Sequence, residues 1–73
     1  MRSTKYVATF SELTARERQV AHLVAEGLSN KGIGKRLNVT EGTVKLHVHS
    51  IYKKLEIPRR AALVALVIKE AMH

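Results

Sequence analysis

Four aliphatic side chains in the second half of the chain repeat with the period of an α-helix. They are spaced four, three and four residues apart, at Val44, Val48, Ile51 and Leu55. Side chains at these spacings lie on one narrow helical face, and such a face is stable when it is buried. Thr40 can cap the start of this helix, and Ile57 before Pro58 favours extended backbone after its end. The pattern therefore predicts a helix over residues 41–55 that packs against a core supplied by the rest of the chain.

The length and composition of the chain limit the kind of core that this helix can join. The chain has 73 residues and no cysteine, so it can form one small domain held by apolar packing, without disulfides or thiolate metal sites. A domain of this size has little room for a catalytic cleft, and no nucleophile, paired-carboxylate or phosphate-loop motif occurs. We expect a protein that is not an enzyme and that requires no cofactor and no metal.

No segment of the sequence has the properties of a membrane anchor. The longest apolar run, Ala61 to Ile68, is eight residues long, whereas a membrane-spanning helix needs about 20. The chain also opens without a basic and then apolar leader. Together with the absence of cysteine, these features favour a cytoplasmic protein that does not contact a membrane.

A second helix is predicted near the start of the chain. Thr14 and Glu17 have the spacing of a capping box, and the apolar residues that follow recur at helical intervals as far as Gly27. Glycine readily takes the left-handed conformation that ends a helix, so we place this helix at residues 14–26. Glu17 lies close to its apolar side, where an unpaired carboxylate is costly, and we expect a partner such as Arg60.

Two further helices complete the predicted fold. Ser29 can cap a short helix over residues 30–37, which contains Gly32 and Gly34 and must therefore gain much of its order from packing. A three-residue break separates this short helix from the helix over residues 41–55. A last helix is expected over residues 59–72. The expected fold is an all-α four-helix bundle in which the second and third helices form a helix-turn-helix.

Positive charge is concentrated in the middle of the chain. The formal net charge is +7, and eight basic but two acidic residues lie in residues 29–60. On the predicted third helix, the side opposite the apolar stripe carries Gly42, Leu46, His49 and Lys53, and Lys45 and Ser50 flank them. A one-sided basic segment is typical of proteins that bind phosphate groups, and a solvated basic surface is the alternative that charge alone leaves open.

Four blocks of sequence occur in a distinctive order along the chain. They are Leu13 to Glu17, Ala25 to Lys31, Thr43 to His47, and Lys54 with Leu55. Together they resemble the LuxR/FixJ/NarL-type helix-turn-helix DNA-binding domain, the C-terminal effector domain of response regulators and autoinducer receptors. The resemblance implies that the third helix enters the major groove and that the fourth forms a dimer contact. We accordingly expect residues 1–12 to be a flexible lead-in or linker stub and residues 13–73 to be the domain.

The resemblance also implies roles for individual residues. The positions that contact bases in the family correspond to Lys45, Leu46 and His49, which the helical periodicity also places on or beside the outward face. The positions that contact the DNA backbone correspond to Asn30, Lys31, Thr43, and Lys53 or Lys54. An exposed leucine gains little in water but can pack against a thymine methyl group. The alternatives are partial burial of Leu46 against the second helix and an ordinary exposed histidine at position 49.

The fourth predicted helix carries more apolar residues than one face can bury. Leu63, Leu66 and Val67 can cover the core, which leaves three residues without a partner in the chain: Val64, Ile68 and Met72. We expect these three to form a self-association surface, in agreement with the dimer contact that the resemblance implies. Such a surface is small, so the isolated domain is expected to be a monomer or a weak homodimer.

The function that the sequence favours is sequence-specific binding of double-stranded DNA by a dimeric bacterial transcription regulator. Two other functions stay open at this point. One is a sigma-factor-like module whose main partner is RNA polymerase, and the other is a protein-interaction module that uses the fourth helix. The chain is either a complete small regulator or the output half of a longer protein, and the unpatterned lead-in favours the second interpretation.

Overall fold

The computed structural model describes residues 10–72, and four helices account for most of them. A short 3-10 turn, Phe10–Glu12, precedes the helices. The helices are α1 (Ala15–Ala25), α2 (Asn30–Leu37), α3 (Glu41–Leu55) and α4 (Arg60–Ala71). The described residues contain no strand, so the predicted all-α class is confirmed. The four predicted helices are confirmed as well, and each helix end lies within one residue of its predicted position.

The predicted helix starts are confirmed at α1, α2 and α3. The side-chain oxygens of Thr14, Ser29 and Thr40 each accept a hydrogen bond of 3.0–3.1 Å from a backbone N–H in the first helical turn. Each of these bonds satisfies one of the N–H groups that a helix leaves free at its start. α4 begins differently, because Arg59 precedes it and makes no side-chain cap.

A tight turn joins α2 to α3 and forms the helix-turn-helix. Asn38 ends α2 in the left-handed conformation, with φ of 62°. A β-carbon placed on Gly34 would lie 2.7 Å from the carbonyl oxygen of Val39, which is closer than a carbon and an oxygen approach without strain. The turn therefore passes directly against the α2 backbone at the residue that has no side chain.

The core lies among all four helices, and α3 supplies the apolar stripe. All four stripe residues are buried, Val44 and Ile51 completely. α3 packs against α1 and α2, while α1 also packs against α4, which contributes Leu63 and Val67 to the core. Burial of one such aliphatic side chain contributes about 1.5–3 kcal/mol. Across residues 10–72, none of the helices combines the length and the hydropathy needed to span a membrane.

The start of the domain differs from the sequence prediction. Phe10 is buried in the core, and its ring meets that of His22 in α1 edge-on, with the ring centroids 5.9 Å apart. Phenylalanine carries a large apolar surface, so its burial orders the backbone around it. The predicted flexible lead-in over residues 1–12 is therefore wrong for residues 10–12, and the rest of that segment lies outside the described residues.

Candidate nucleic-acid interface

The outward face of α3 is exposed, as the sequence predicts. Lys45, His49 and Lys53 are exposed, and 72% of Leu46 is accessible to solvent. The alternative in which Leu46 packs against α2 is therefore wrong. His47 is half-buried, and because it lies two positions before His49 on the helix, the two histidine side chains point to different sides of α3. Because the opposite face of α3 is buried in the core, packing decides which side of this helix a partner can reach.

Basic residues of α2 lie beside the start of α3. A shallow surface groove between the two helices is lined by Lys31 and Lys35 of α2 and by Thr40 and Glu41 at the start of α3. Lys31 is exposed, and among residues 10–72 it has no ion-pair partner. α2 therefore adds free positive charge next to the first turn of α3.

Two polar residues to which the resemblance assigns contacts with the DNA backbone are hydrogen-bonded within the domain. Thr43 is half-buried, and its hydroxyl oxygen accepts a bond of 2.9 Å from the Thr40 hydroxyl. Asn30 is also half-buried, and its side-chain Oδ1 accepts a bond of 2.9 Å from Nη1 of Arg60. Each of these side chains keeps donor hydrogens that no acceptor in the described part of the chain engages.

A buried carboxylate joins α1 to α3. Oε1 of Glu17 lies 2.8 Å from Nζ of Lys54 and accepts a bond of 2.9 Å from the Thr14 N–H. The hydroxyl of Ser50 donates to the other carboxylate oxygen at 2.8 Å. Glu17 thus has the charged partner that its position predicts. The expectation of Arg60 is wrong, because that residue lies at the start of α4 and binds α2 instead.

Burial and hydrogen bonding act in opposite directions on the carboxyl group of Glu17. Burial alone raises its pKa, because desolvation disfavours the charged form. The hydrogen bonds from Lys54, the Thr14 N–H and Ser50, together with the charge of Lys54, outweigh burial and lower the pKa from 4.5 to about 2. Glu17 is therefore ionised at neutral pH and holds α3 against α1 at two points.

These contacts alter two sequence-based assignments on α3. The prediction that Ser50 flanks the outward face is wrong, because its hydroxyl lies in the contact with α1. Lys54 is paired with Glu17, and 37% of its side chain is exposed. Lys53 is exposed, and within residues 10–72 its side chain makes no hydrogen bond or ion pair. Of the two lysines that the resemblance offers for a DNA backbone contact, Lys53 is the one whose ammonium group is free.

α4 leaves part of its apolar surface uncovered. Ile68 is 53% exposed and Met72 is 81% exposed. Val64 is half-buried and packs against the core, so the prediction that it has no partner within the chain is wrong. The uncovered apolar surface of α4 is therefore smaller than its sequence indicates.

Comparison with known proteins identifies the same type of domain. The family model GerE, described as "Bacterial regulatory proteins, luxR family", matches residues 11–67. Two nitrate/nitrite response regulators of Escherichia coli (strain K12) are similar. NarP is 44% identical over 61 residues, or 84% of this chain, and NarL is 43% identical over 60 residues, or 82% of it. The chain spans 28% of the length of each of these regulators.

A solved structure has the same fold. The response regulator ChrA of a heme-sensing two-component system matches this domain with a TM-score of 0.74 and 29% sequence identity. The match covers 100% of this chain and 32% of ChrA. The helix-turn-helix, the family match and the identity to NarP and NarL lead to one conclusion. The chain belongs to the luxR family of bacterial regulatory proteins.

Proposed function

We propose that this domain binds double-stranded DNA in a sequence-specific manner, with α3 in the major groove. The observation that carries the proposal is that one face of α3 is buried while the opposite face presents Lys45, Leu46 and His49 to solvent. α3 has 15 residues, which corresponds to a rod about 22 Å long. An α-helix fits a major groove about 12 Å wide, so the dimensions of α3 suit insertion.

Each of these three exposed residues has a chemical role in base recognition. Lys45 can donate to O6 and N7 of guanine, and Leu46 can pack against the methyl group of thymine. His49 can donate to a base or a phosphate, and its protonated form would add positive charge. Leu46 carries the most information about function, because contact with water does not stabilise an exposed leucine whereas contact with a thymine methyl group does.

Contacts to the DNA backbone are proposed for four residues of α2 and α3. Lys31 and Lys53 supply free ammonium groups, Asn30 supplies an amide and Thr43 a hydroxyl. Contacts of this kind do not read sequence, but they fix the register of the protein and supply much of the affinity. Lys54 is assigned to the ion pair with Glu17 rather than to a phosphate.

Separate replacement of Lys53 and Lys54 tests this division of roles. Lys53→Ala is expected to reduce the steepness of log Kd against log salt by about 0.9 per domain, because one phosphate contact is lost. Lys54→Ala is expected to keep that slope and to lower the free energy of unfolding by about 1–2 kcal/mol, because Glu17 loses its partner. Fluorescence anisotropy at several salt concentrations measures the slope, and urea unfolding measures stability. A reduced slope with unchanged stability in Lys54→Ala would contradict the assignment.

A dimer contact is proposed for the uncovered surface of α4. Ile68 and Met72 are exposed on this helix, with the half-buried Val64 at the edge of the surface. Two domains joined here would present two copies of α3 to neighbouring half-sites on one duplex. The surface is small compared with a stable interface, so the homodimer is expected to be weak without DNA.

We also propose that the domain is the output part of a bacterial response regulator in the cytoplasm. The support is that NarP, NarL and ChrA are response regulators and that this chain corresponds to 28%, 28% and 32% of their lengths. In such a protein, the remaining residues would receive the signal of a two-component system. RNA polymerase is a further proposed partner, since a transcription regulator acts on that enzyme.

A mobility-shift assay at about 150 mM salt, with the chain and a random-sequence duplex pool in the absence of RNA polymerase, tests the proposed function. We expect retarded complexes, because the exposed lysines and the outward face of α3 suffice for binding. Complexes that form after the addition of polymerase alone would instead support a sigma-factor-like module. No complex under either condition would support a protein-interaction module that uses α4.

A further inference from the structure

We infer that Arg60 is a positioning residue for the contact between Asn30 and a DNA phosphate. This inference rests on the proposed function, because it concerns how the domain orients the Asn30 side chain for a contact with the DNA backbone. Arg60 is the first residue of α4, and Asn30 is the first residue of α2. Neither the sequence pattern nor the proposed function assigns a DNA-related role to Arg60.

The guanidinium group of Arg60 bridges two oxygens at the start of α2. Nη1 donates to Oδ1 of Asn30 at 2.9 Å, and Nη2 donates to the backbone carbonyl oxygen of Leu28 at 2.8 Å. These two oxygens lie on either side of Ser29, the residue that caps α2. Arg60 is half-buried, so both bonds are partly shielded from water and are stronger than they would be on an open surface.

This bridge fixes the orientation of the Asn30 amide. Arginine has donors and no acceptor, so the amide oxygen must face the guanidinium group and the amide NH2 must point away from it. An asparagine amide without such a partner can turn over and exchange its oxygen and nitrogen positions. Among residues 10–72, no acceptor engages the NH2 group of Asn30. The domain therefore holds a free, oriented donor at the start of α2.

An oriented donor suits a phosphate oxygen of the DNA backbone. Lys31, the next residue, is exposed and brings a positive charge to the same end of α2. Because the amide is fixed before binding, less conformational freedom is lost when it meets the phosphate. Arg60 uses two of its five N–H donors within the domain, and the role inferred for it is to orient the Asn30 amide.

A double-mutant cycle on DNA affinity tests this role of Arg60. The variants are Arg60→Lys, Asn30→Ala and the combination, each in the 73-residue chain and each measured with a labelled random-sequence duplex of about 20 base pairs. Lysine keeps the charge but cannot reproduce the two-pronged donor. We expect each single change to weaken binding about tenfold and the combination to be no weaker than Asn30→Ala alone.

The matched control is Arg59→Lys. Arg59 is exposed and makes no side-chain cap, so this change preserves charge without removing a bridge, and it is expected to leave DNA affinity within about twofold of the wild-type value. Additive effects of Arg60→Lys and Asn30→Ala would show that Arg60 acts independently of Asn30 and would overturn the inference. Full binding by Arg60→Lys would overturn it too, because charge alone would then be sufficient.

A measurement on the free protein keeps the inference distinct from the proposed function. Nitrogen-15 relaxation of the Asn30 side-chain amide is expected to give an order parameter near that of rigid backbone, about 0.85, in the wild type. In Arg60→Lys it is expected to fall below about 0.6. An amide that is already flexible in the wild type would overturn the positioning role even if the domain binds DNA. A rigid amide in a domain that binds no duplex would overturn the proposed function and, with it, the phosphate contact.

Discussion

DNA binding by this domain is expected to weaken about a thousandfold when the salt concentration rises from about 50 mM to about 200 mM. Lys31, Lys45 and Lys53 are exposed and have no ion-pair partner in the described part of the chain. Two domains on one duplex would bring six of these ammonium groups to the DNA, with Lys31 and Lys53 at phosphates and Lys45 in the groove between them. Neutralisation of about six phosphate charges gives a slope of log affinity against log salt near −5. The large effect arises because each neutralised phosphate releases a counterion.

Fluorescence anisotropy over that range of salt, with wild type and the Lys31→Ala variant, measures the slope. The variant removes one of the three lysines named above and is expected to give a slope that is shallower by about 0.9 per domain. A slope near zero in the wild type would contradict the proposal that lysine contacts to phosphate supply the affinity. An unchanged slope in Lys31→Ala would remove that lysine from the interface.

Glu17→Gln is expected to lower the free energy of unfolding by about 3 kcal/mol at neutral pH. Glutamine at this position still allows a capping box with Thr14, so the start of α1 is retained. The variant loses the ion pair with Lys54 and the negatively charged oxygen to which the Ser50 hydroxyl donates. For a domain with 63 described residues, a loss of this size is a large part of the total stability.

The pH dependence of this contribution has a definite sign. The pKa of Glu17 is lowered from 4.5 to about 2 in the folded domain, so its stabilising effect is fully present above pH 4.5. It is lost as the pH falls from 4.5 towards 2, because the unfolded chain then binds a proton that the folded domain does not. The difference in unfolding free energy between wild type and Glu17→Gln is therefore expected to shrink across that interval.

Urea unfolding of both proteins between pH 7 and pH 2 measures this difference. Glu26→Gln is the matched control, because Glu26 is exposed and makes no ion pair with a described residue. We expect the control to lie within about 0.5 kcal/mol of the wild type. Parallel pH curves for wild type and Glu17→Gln would contradict the account of the buried carboxylate.

Glu17 also links the stability of the domain to the orientation of α3. The apolar stripe of α3 fixes which face is buried, but apolar contacts tolerate small rotations. The bonds from Ser50 and Lys54 to one carboxylate add directional contacts near the C-terminal half of the helix. Both donors lie on α3 itself, so the buried carboxylate restrains the helix whose opposite side presents Leu46 to solvent.

Features that depend on neighbouring residues could be predicted from the sequence. The caps at Thr14, Ser29 and Thr40 and the stripe of α3 are local patterns, because a cap requires one side chain and the N–H groups of the next turn. Exposure of Leu46 follows from the same period. Each of these predictions is confirmed by the hydrogen bonds and the burial in the structure.

Features that depend on how helices meet could not be predicted in the same way. The position of Glu17 on α1 indicated a buried carboxylate, but its partners lie 33 and 37 residues away on α3. Whether Lys54 or Arg60 is the partner of Glu17 depends on which helix packs against α1 beside Glu17. Burial of Phe10 was missed for a similar reason, because a single aromatic residue outside a periodic segment gives no local signal.

Selection of bound fragments from a random duplex pool tests the claim that the outward face of α3 reads base edges. The wild type and Leu46→Ala are compared, followed by affinity measurements on the selected and unrelated duplexes. We expect the wild type to select a defined sequence and Leu46→Ala to lose preference at one thymine-containing step, with little change on unrelated duplexes. An equal loss of affinity for every sequence, or an identical selected sequence for both proteins, would contradict the claim.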